Sequence, residues 1–299
     1  MIIFNRLISN LIPFFPKALT YQFAKRYVAG TEKNTALDII KSLNDDGYLV
    51  TLDILGEHTK EHQNANHITD QYIDLYNEFN KRNLNCNLSI KPSHIGADIS
   101  ADLYNSNIHR IIDASERTSN FLRIDMESSR YTDLTIKSFT ELREKTNNIG
   151  TVFQAYLYRT YDDIKKLNLQ NLNIRICKGI YKESDDICIN NRLKINDNYL
   201  KILRYAFEND IFIGIATHDT ILLDSIHSII QELKPPANRF EFQVLYGVPM
   251  REYNKRHLDS GYRVRVYVPF GEDWYKYSVR RLKENPDIAG YVLKNLFYK

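Results

Sequence analysis

Polar and ionisable residues stand at the ends of runs that are otherwise apolar. Lys91 closes NLSIKP, Asp125 closes FLRID, Gln154 interrupts GTVFQAYLY, and Arg175 and Lys178 punctuate NIRICKG. IFIGIAT runs on into Thr217-His218-Asp219, and Tyr267 sits in YRVRVYVP. A strand buried on both faces should be almost continuously apolar, so a charge there costs desolvation unless it is paired or used. A single such residue is ordinarily a satisfied structural group. Residues from six separate runs converging on one rim point instead to an enzyme. The chemistry on offer is a set of fixed cations for an anionic substrate, a carboxylate able to take a proton, and a lysine able to form a Schiff base.

A second cation group lies beyond the last run, in WYKYSVRRLKENP. Helical spacing there sets Tyr277 with Arg281, and Arg280 with Glu284, at i and i+4. Adjacent arginines lie about 100° apart on a helix, so one can pair with Glu284 while both reach a common anion. A guanidinium suits a carboxylate through two parallel hydrogen bonds. The competing reading is a solvated helix face held by i,i+4 pairs. His58-Thr-Lys-Glu61-His62 spells H-x-x-E-H, a zinc-site pattern, but it follows the first run in a polar stretch with His67 nearby. No flanking run supports a metalloprotease, so these read as surface histidines and no metal is expected.

The elements that must position these residues repeat along the chain. Short β-branched or apolar runs occur at 47–55, 87–92, 121–126, 150–158, 173–179, 211–217, 240–247 and 262–269. Between them lie segments such as 69–83 and 191–210, whose apolar residues recur at i, i+3, i+4 and i+7, the mark of a helix with one buried face. Strand–helix alternation predicts parallel strands with crossover helices, and eight strands close a (β/α)8 TIM-type barrel. The rival, an open doubly wound sheet, would carry a Gly-rich dinucleotide turn, and no G-x-G-x-x-G is present. Residues 47–299 are read as the catalytic barrel domain and 1–46 as an N-terminal helical arm.

The chain's 299 residues are 43% hydrophobic and 26% charged, which excludes disorder, collagen-like repeats and a disulfide scaffold. Its formal net charge of +3 gives no argument for nucleic acid. Only residues 251–299 lean basic, which favours phosphates or an anionic membrane surface. Cys86, Cys177 and Cys188 are odd in number, without C-x-x-C spacing, and read as reduced thiols of a cytoplasmic protein. The opening MIIFNRLISNLIPFFPKAL is interrupted by Arg6, Asn10 and two prolines and lacks a cleavage site. It reads as an amphipathic arm packed on the domain, with peripheral membrane contact as the alternative.

The ordered motifs carry more than a barrel. L-D-I-L-G-E (52–57), S-I-K-P-S (89–93), R-I-D-M-E (123–127), F-Q-A-Y-L (153–157), R-I-C-K-G-I-Y-K-E (175–183), A-T-H-D (216–219), F-Q-V-L-Y-G-V (242–248), R-V-Y-V-P-F-G (265–271) and Y-S-V-R-R-L-x-E-N (277–285) run in sequence. Together they resemble the bacterial monofunctional proline dehydrogenase family. That resemblance implies an FAD-binding barrel that oxidises L-proline to 1-pyrroline-5-carboxylate by hydride transfer to flavin N5, the first step of proline catabolism, with electrons passed to quinone. It implies that Lys91, Arg280 and Arg281 hold the substrate carboxylate and that Tyr267 and Tyr277 shape the pocket. Asp125 and Arg175 take the catalytic positions. Met126, Gln154, Arg175, Lys178, Gly179, Ile180, Thr217 and His218 take flavin-contacting ones. Cys177 and Ile180 depart from the family's usual small residues, and Ile180 is the bulkier departure.

Those roles make physical sense. Cations around one carboxylate fix the ring at near-attack distance, and Arg175, Lys178 or Gln154 could stabilise charge developing on the reduced flavin. Asp125 could take the proton from the proline nitrogen, or hold Lys91 by an ion pair. The second is favoured, because an aspartate beside a cation is a poor base. Apart from the resemblance, Lys178 would suggest a Schiff-base aldolase. Two further functions fit a barrel with these residues: a non-catalytic amino-acid-binding protein, and a flavoenzyme of the methylenetetrahydrofolate reductase kind.

Overall fold

The computed structural model of the protein describes residue 21, residues 24–167 and residues 170–284, with 280–284 as backbone alone. In chain order the elements are α1 (Lys33–Asp45), β1 (Leu49–Ile54), α2 (His62–Lys81), β2 (Cys86–Ile90), α3 (Ala101–Arg117), β3 (Leu122–Ile124) and α4 (Thr132–Arg143). There follow β4 (Ile149–Gln154), α5 (Thr160–Leu167), β5 (Asn173–Cys177), α6 (Arg192–Glu208), β6 (Phe212–Ala216), α7 (Thr220–Leu233), β7 (Phe240–Leu245), α8 (Arg251–Asp259), β8 (Val264–Phe270) and α9 (Trp274–Glu284). Each strand pairs in parallel with the next, and β8 closes on β1. The (β/α)8 barrel read from the sequence is the fold.

Period-two alternation along the strands decides which side chains face the helices. In β1, Val50, Leu52 and Ile54 join one apolar cluster with Leu37 and Ile40 of α1 and Tyr72 and Leu75 of α2. The intervening Thr51 and Asp53 bond across the interior, Thr51 to Asn87 at 2.5 Å and Asp53 to Lys91. β8 repeats the pattern: Val264, Val266 and Val268 go to the cluster, while Arg265 and Tyr267 turn inward to Glu241 and Asp125. Leaving water is what holds the outer layer on the barrel, since each fully buried aliphatic side chain contributes about 1.5–3 kcal/mol.

Barrel interiors are ordinarily filled by branched aliphatic side chains. This one is polar. Near the strand N-termini, Arg265 Nε donates to Glu241 Oε1 at 2.6 Å, Gln243 Nε2 donates to the same oxygen at 2.7 Å, and Arg123 reaches Thr151 O at 3.0 Å and Asn173 Oδ1 at 2.7 Å. Two glycines open the space for them. A Cβ at Gly150 would lie 2.4 Å from Arg123 Nη1, and one at Gly214 the same distance from Gln243 Nε2.

The helices begin where side chains satisfy their free amides. Ser100 accepts from Leu103 N at 3.2 Å, and Asn191 accepts from Leu193 N and Lys194 N. Asp219 caps α7 in the same way, accepting from Ile221 N and Leu222 N. Ahead of α1, the chain crosses the C-terminal rim of the barrel. Ala29 N donates to Pro269 O at 2.8 Å and Gly271 N to Gly30 O at 3.0 Å. Tyr27 and Val28 pack there with Leu55 and Tyr277. The opening nineteen residues, on which the membrane-contact expectation rests, lie outside the described residues.

Candidate functional site

The C-terminal ends of the strands surround a cavity of about 740 Å³. That is within the ~300–1,000 Å³ of pockets that bury a whole ligand. Lys91, Asp125, Met126, Gln154, Arg175, Lys178, Gly179, Ile180, Thr217, His218, Tyr267 and Tyr277 all line it. Every described side chain read from the sequence as a site residue is therefore at one mouth. Arg280 and Arg281 fall on α9, which also carries Tyr277, but their side chains lie outside the described residues.

A charge network forms the floor. Lys91, the first residue after β2, places Nζ 2.7 Å from both carboxylate oxygens of Asp53 on β1. Asp125, the first residue after β3, accepts from Arg175 Nη2 at 2.6 Å and from Ser89 Oγ through Oδ1, and from Tyr267 Oη at 2.9 Å through Oδ2. The Arg175 guanidinium lies 5.3 Å from the centre of the Tyr267 ring, a favourable cation–π placement. The ion pair between Asp125 and Lys91 weighed from the sequence is thus replaced by two others: Lys91 with Asp53, and Asp125 with Arg175. The reason is geometric. β1 and β2 are adjacent, with Asp53 in register with Ser89, so Asp53 and Lys91 meet across neighbouring strands.

The two carboxylates differ in their proton affinity. Burial would raise Asp125, but the Arg175 guanidinium, Lys91 and the hydroxyls of Ser89 and Tyr267 outweigh it and hold its pKa below the ordinary value. Burial pushes Asp53 up to about 6 against the pull of Lys91, and the Asp125 charge adds to the rise. The Tyr267 phenol is pushed well above its ordinary range by burial and by the two carboxylates.

The rest of the rim is built from the ends of β4, β5 and β6. Gln154 donates one amide N–H to Glu127 O at 2.8 Å, which turns its amide oxygen into the available acceptor. His218 Nε2 accepts the Leu245 amide at 2.9 Å, fixing a tautomer with the proton on Nδ1. Thr217 Oγ1 accepts from Asp219 N. Lys178 is bound to Asp219, which also takes Arg192 Nη2 at 2.8 Å. With its ammonium engaged by a carboxylate, Lys178 is poorly set up as the Schiff-base nucleophile of an aldolase. Cys177 Sγ faces Phe153 O, and burial raises the thiol to about 11, so it is no nucleophile. Gly179 turns the chain at φ 109°. A Cβ there would lie 2.0 Å from the Tyr156 ring, so only glycine lets strand β5 pass into its loop at this spot. The side chain of Ile180 stands 51% exposed at the cavity mouth.

Several contributors went unread in the sequence. Asp53 carried the same signal as Lys91, a charge late in an apolar run. Ser89 and Glu127 also fit the pattern, Glu127 receiving Ser93 N at 2.8 Å. His58 precedes α2 in left-handed backbone and bonds Asp98 through Nδ1 at 2.8 Å, while His62 opens the helix, so the two do not share a helical face.

A closed barrel with a ligand-sized, charge-lined mouth at the strand C-termini is the architecture of a (β/α)8 enzyme. The proline dehydrogenase family matches residues 36–293. The sequence is 35% identical over 277 residues to proline dehydrogenase 2 of Bacillus subtilis, covering 92% of this chain and 91% of that one. It is 31% identical over 281 residues to proline dehydrogenase of Deinococcus radiodurans, covering 92% and 90%. Among solved structures, proline utilization A (PutA) from Bdellovibrio bacteriovorus, inactivated by N-propargylglycine, superposes with a TM-score of 0.82 at 25% identity, over 89% of this chain and 33% of the other. The chain belongs to the proline dehydrogenase family.

Proposed function

We propose that the protein oxidises L-proline to 1-pyrroline-5-carboxylate, the first step of proline catabolism, using FAD and passing the electrons to a quinone. The observation that carries this reading is the convergence of Lys91, Asp125, Arg175, Tyr267 and Tyr277 on one cavity in a chain of this family. The donors on the wall fit a flavin. Gln154 offers an amide oxygen to a ring N–H, Arg175 and Lys178 are cations, and Gly179 brings backbone close. Met126, Ile180, Thr217 and His218 complete the FAD contacts in this reading.

When bound, the flavin supplies the hydride acceptor at N5; the chain's residues do the rest. Lys91, with Arg280 and Arg281 from α9, takes the substrate carboxylate, while Tyr267 and Tyr277 set the ring's position. Asp125, held ionised by three donors, acts as a positioning residue that fixes Arg175 and Tyr267 rather than as a base. Residues 47–299 form the catalytic barrel domain, and the preceding arm packs Ala36, Leu37 and Ile40 of α1 against it. No helix among the described residues is long and apolar enough to cross a membrane. In this reading a cytoplasmic protein reaches quinone by a peripheral visit to the inner membrane face, aided by the basic 251–299 segment.

The test is the product. Purified protein carrying its flavin, given L-proline and an artificial electron acceptor, should yield the five-membered cyclic imine by mass spectrometry. A flavin-loaded protein that leaves proline unchanged would contradict the reading.

A further inference from the structure

Of the four carboxylates that line the cavity, Asp53, Glu57, Asp125 and Asp219, the two in the floor network, Asp53 and Asp125, have surroundings that fit them for different work. Asp125 has both oxygens engaged by donors on three different strands or strand ends, Ser89, Arg175 and Tyr267. Asp53 turns both oxygens to a single ammonium, that of Lys91, at 2.7 Å each. Its residue is 2% exposed. Lys91 is also the cation that takes the substrate carboxylate, so the group holding Asp53 is the one that substrate binding draws away.

The pair matches the substrate in charge. An amino acid enters with a carboxylate and an ammonium, and a buried Asp–Lys pair presents one group for each. We infer that Asp53 accepts the proton of the substrate nitrogen: Lys91 turns to the substrate carboxylate, and Asp53, buried without its cation, takes the ammonium proton directly or through one water. This rests on the proline reading. In the step, an N–H bond of the secondary ammonium breaks and an O–H bond forms on Asp53. The freed lone pair becomes the second bond of C=N as the neighbouring ring carbon gives up its hydrogen with both electrons to the flavin, the oxidant.

The ionisable groups facing Asp53 agree with this role. Lys91 at the end of β2 opposes protonation, as to a lesser extent does Tyr267 of β8, and Asp125 at the end of β3 promotes it. The phenol of Tyr72, on α2, feels the Asp53 charge and stays protonated. Glu57, four residues further along, is a further negative charge that favours the ammonium form of Lys91. With Lys91 drawn off, burial and the Asp125 charge remain to favour a protonated Asp53. Asp125, held low by its donors, is the poorer base.

The test uses the flavin-loaded protein and two ligands. In anaerobic rapid mixing with L-proline, the wild-type bleaching rate should show an acid limb. Asp53→Asn should lose that limb and slow by about 10²–10⁴-fold, while Asp125→Asn should keep it. The second ligand is tetrahydrofuran-2-carboxylate, which keeps the ring and carboxylate but has oxygen in place of nitrogen and so brings no proton. Its binding should take one proton from solvent, so its Kd should rise about tenfold per pH unit on the alkaline side. In Asp53→Asn the Kd should be flat. A Kd independent of pH in the wild type, or an acid limb retained in Asp53→Asn, overturns the assignment; the wild-type titration decides it even where the variant fails to fold. Wild-type flavin that proline does not bleach brings down the substrate reading itself, whereas bleaching with a retained limb brings down Asp53 alone.

Discussion

Replacing Lys91 by methionine separates binding from stability. In the wild type its ammonium meets both Asp53 oxygens at 2.7 Å, with the side chains 10% and 2% exposed. Removing one partner of such a buried pair costs about 3–5 kcal/mol, because the other charge is left without compensation. Asp53 escapes by holding a proton. A carboxyl whose folded pKa lies above its unfolded value of ~3.9 stabilises the protein at low pH, and that stability is lost as pH rises through the folded pKa. In the wild type this loss ends near the folded value of about 6. Without Lys91 it should continue to higher pH, at about 1.4 kcal/mol per pH unit, before levelling off. Denaturant unfolding across pH should therefore show Lys91→Met ever weaker relative to wild type above pH ~6, and the double variant Lys91→Met/Asp53→Asn should recover most of the difference. Binding should not recover. Loss of one charge partner of the substrate carboxylate costs about 2–5 kcal/mol, or roughly 30-fold to several thousand-fold in Kd. A Lys91→Met protein that binds proline like the wild type would refute the carboxylate role. A double variant no more stable than the single one would refute the pairing.

Two further outcomes follow from the surroundings of the site. His94 is buried against Gly56, its Nδ1 without a hydrogen-bond partner among the described residues, and burial together with Lys91 depresses its pKa to about 3. A depressed histidine supports the fold above its unfolded value of ~6.5 and loses that support as pH falls. The wild type should thus lose about 2 kcal/mol between pH 7 and 5 from this residue, a loss His94→Phe should not show in urea unfolding. Tyr27 is buried with Val28, Leu55 and Tyr277, and its hydroxyl has no hydrogen-bond partner among the described residues. Tyr27→Phe should leave thermal stability equal or higher. Tyr27→Ala should cost about 3–5 kcal/mol and weaken proline binding through the loosened Tyr277; unaltered affinity would show that the rim segment does not support the site.

The barrel was legible because its signal is local. In RVRVYVPF the valines alternate with Arg265 and Tyr267, and the structure sends the two sets to opposite faces. Strand-end residues such as Lys91, Asp125 and Arg175 were legible for the same reason: a charge late in an apolar run must be paired or used. Which charges pair was not. Arg175 meets Asp125 across the interior from β5 to β3, two strands away, and that closeness depends on the barrel's curvature and stagger. Asp53 had the right signal, but its link to Lys91 follows from the β1–β2 register, which sequence spacing does not set. The orientation of Gln154 was hidden for a similar reason, since the Glu127 carbonyl that takes its amide belongs to another strand's loop.

The central claim, that proline binds in this mouth and gives its hydride to a flavin held there, is tested most directly by the visible spectrum of the purified protein. The account predicts a yellow, flavin-loaded protein whose absorption bleaches when L-proline is added without oxygen, at a rate that Arg175→Met and Lys91→Met both depress. A flavin-loaded protein whose spectrum L-proline leaves unchanged would contradict it.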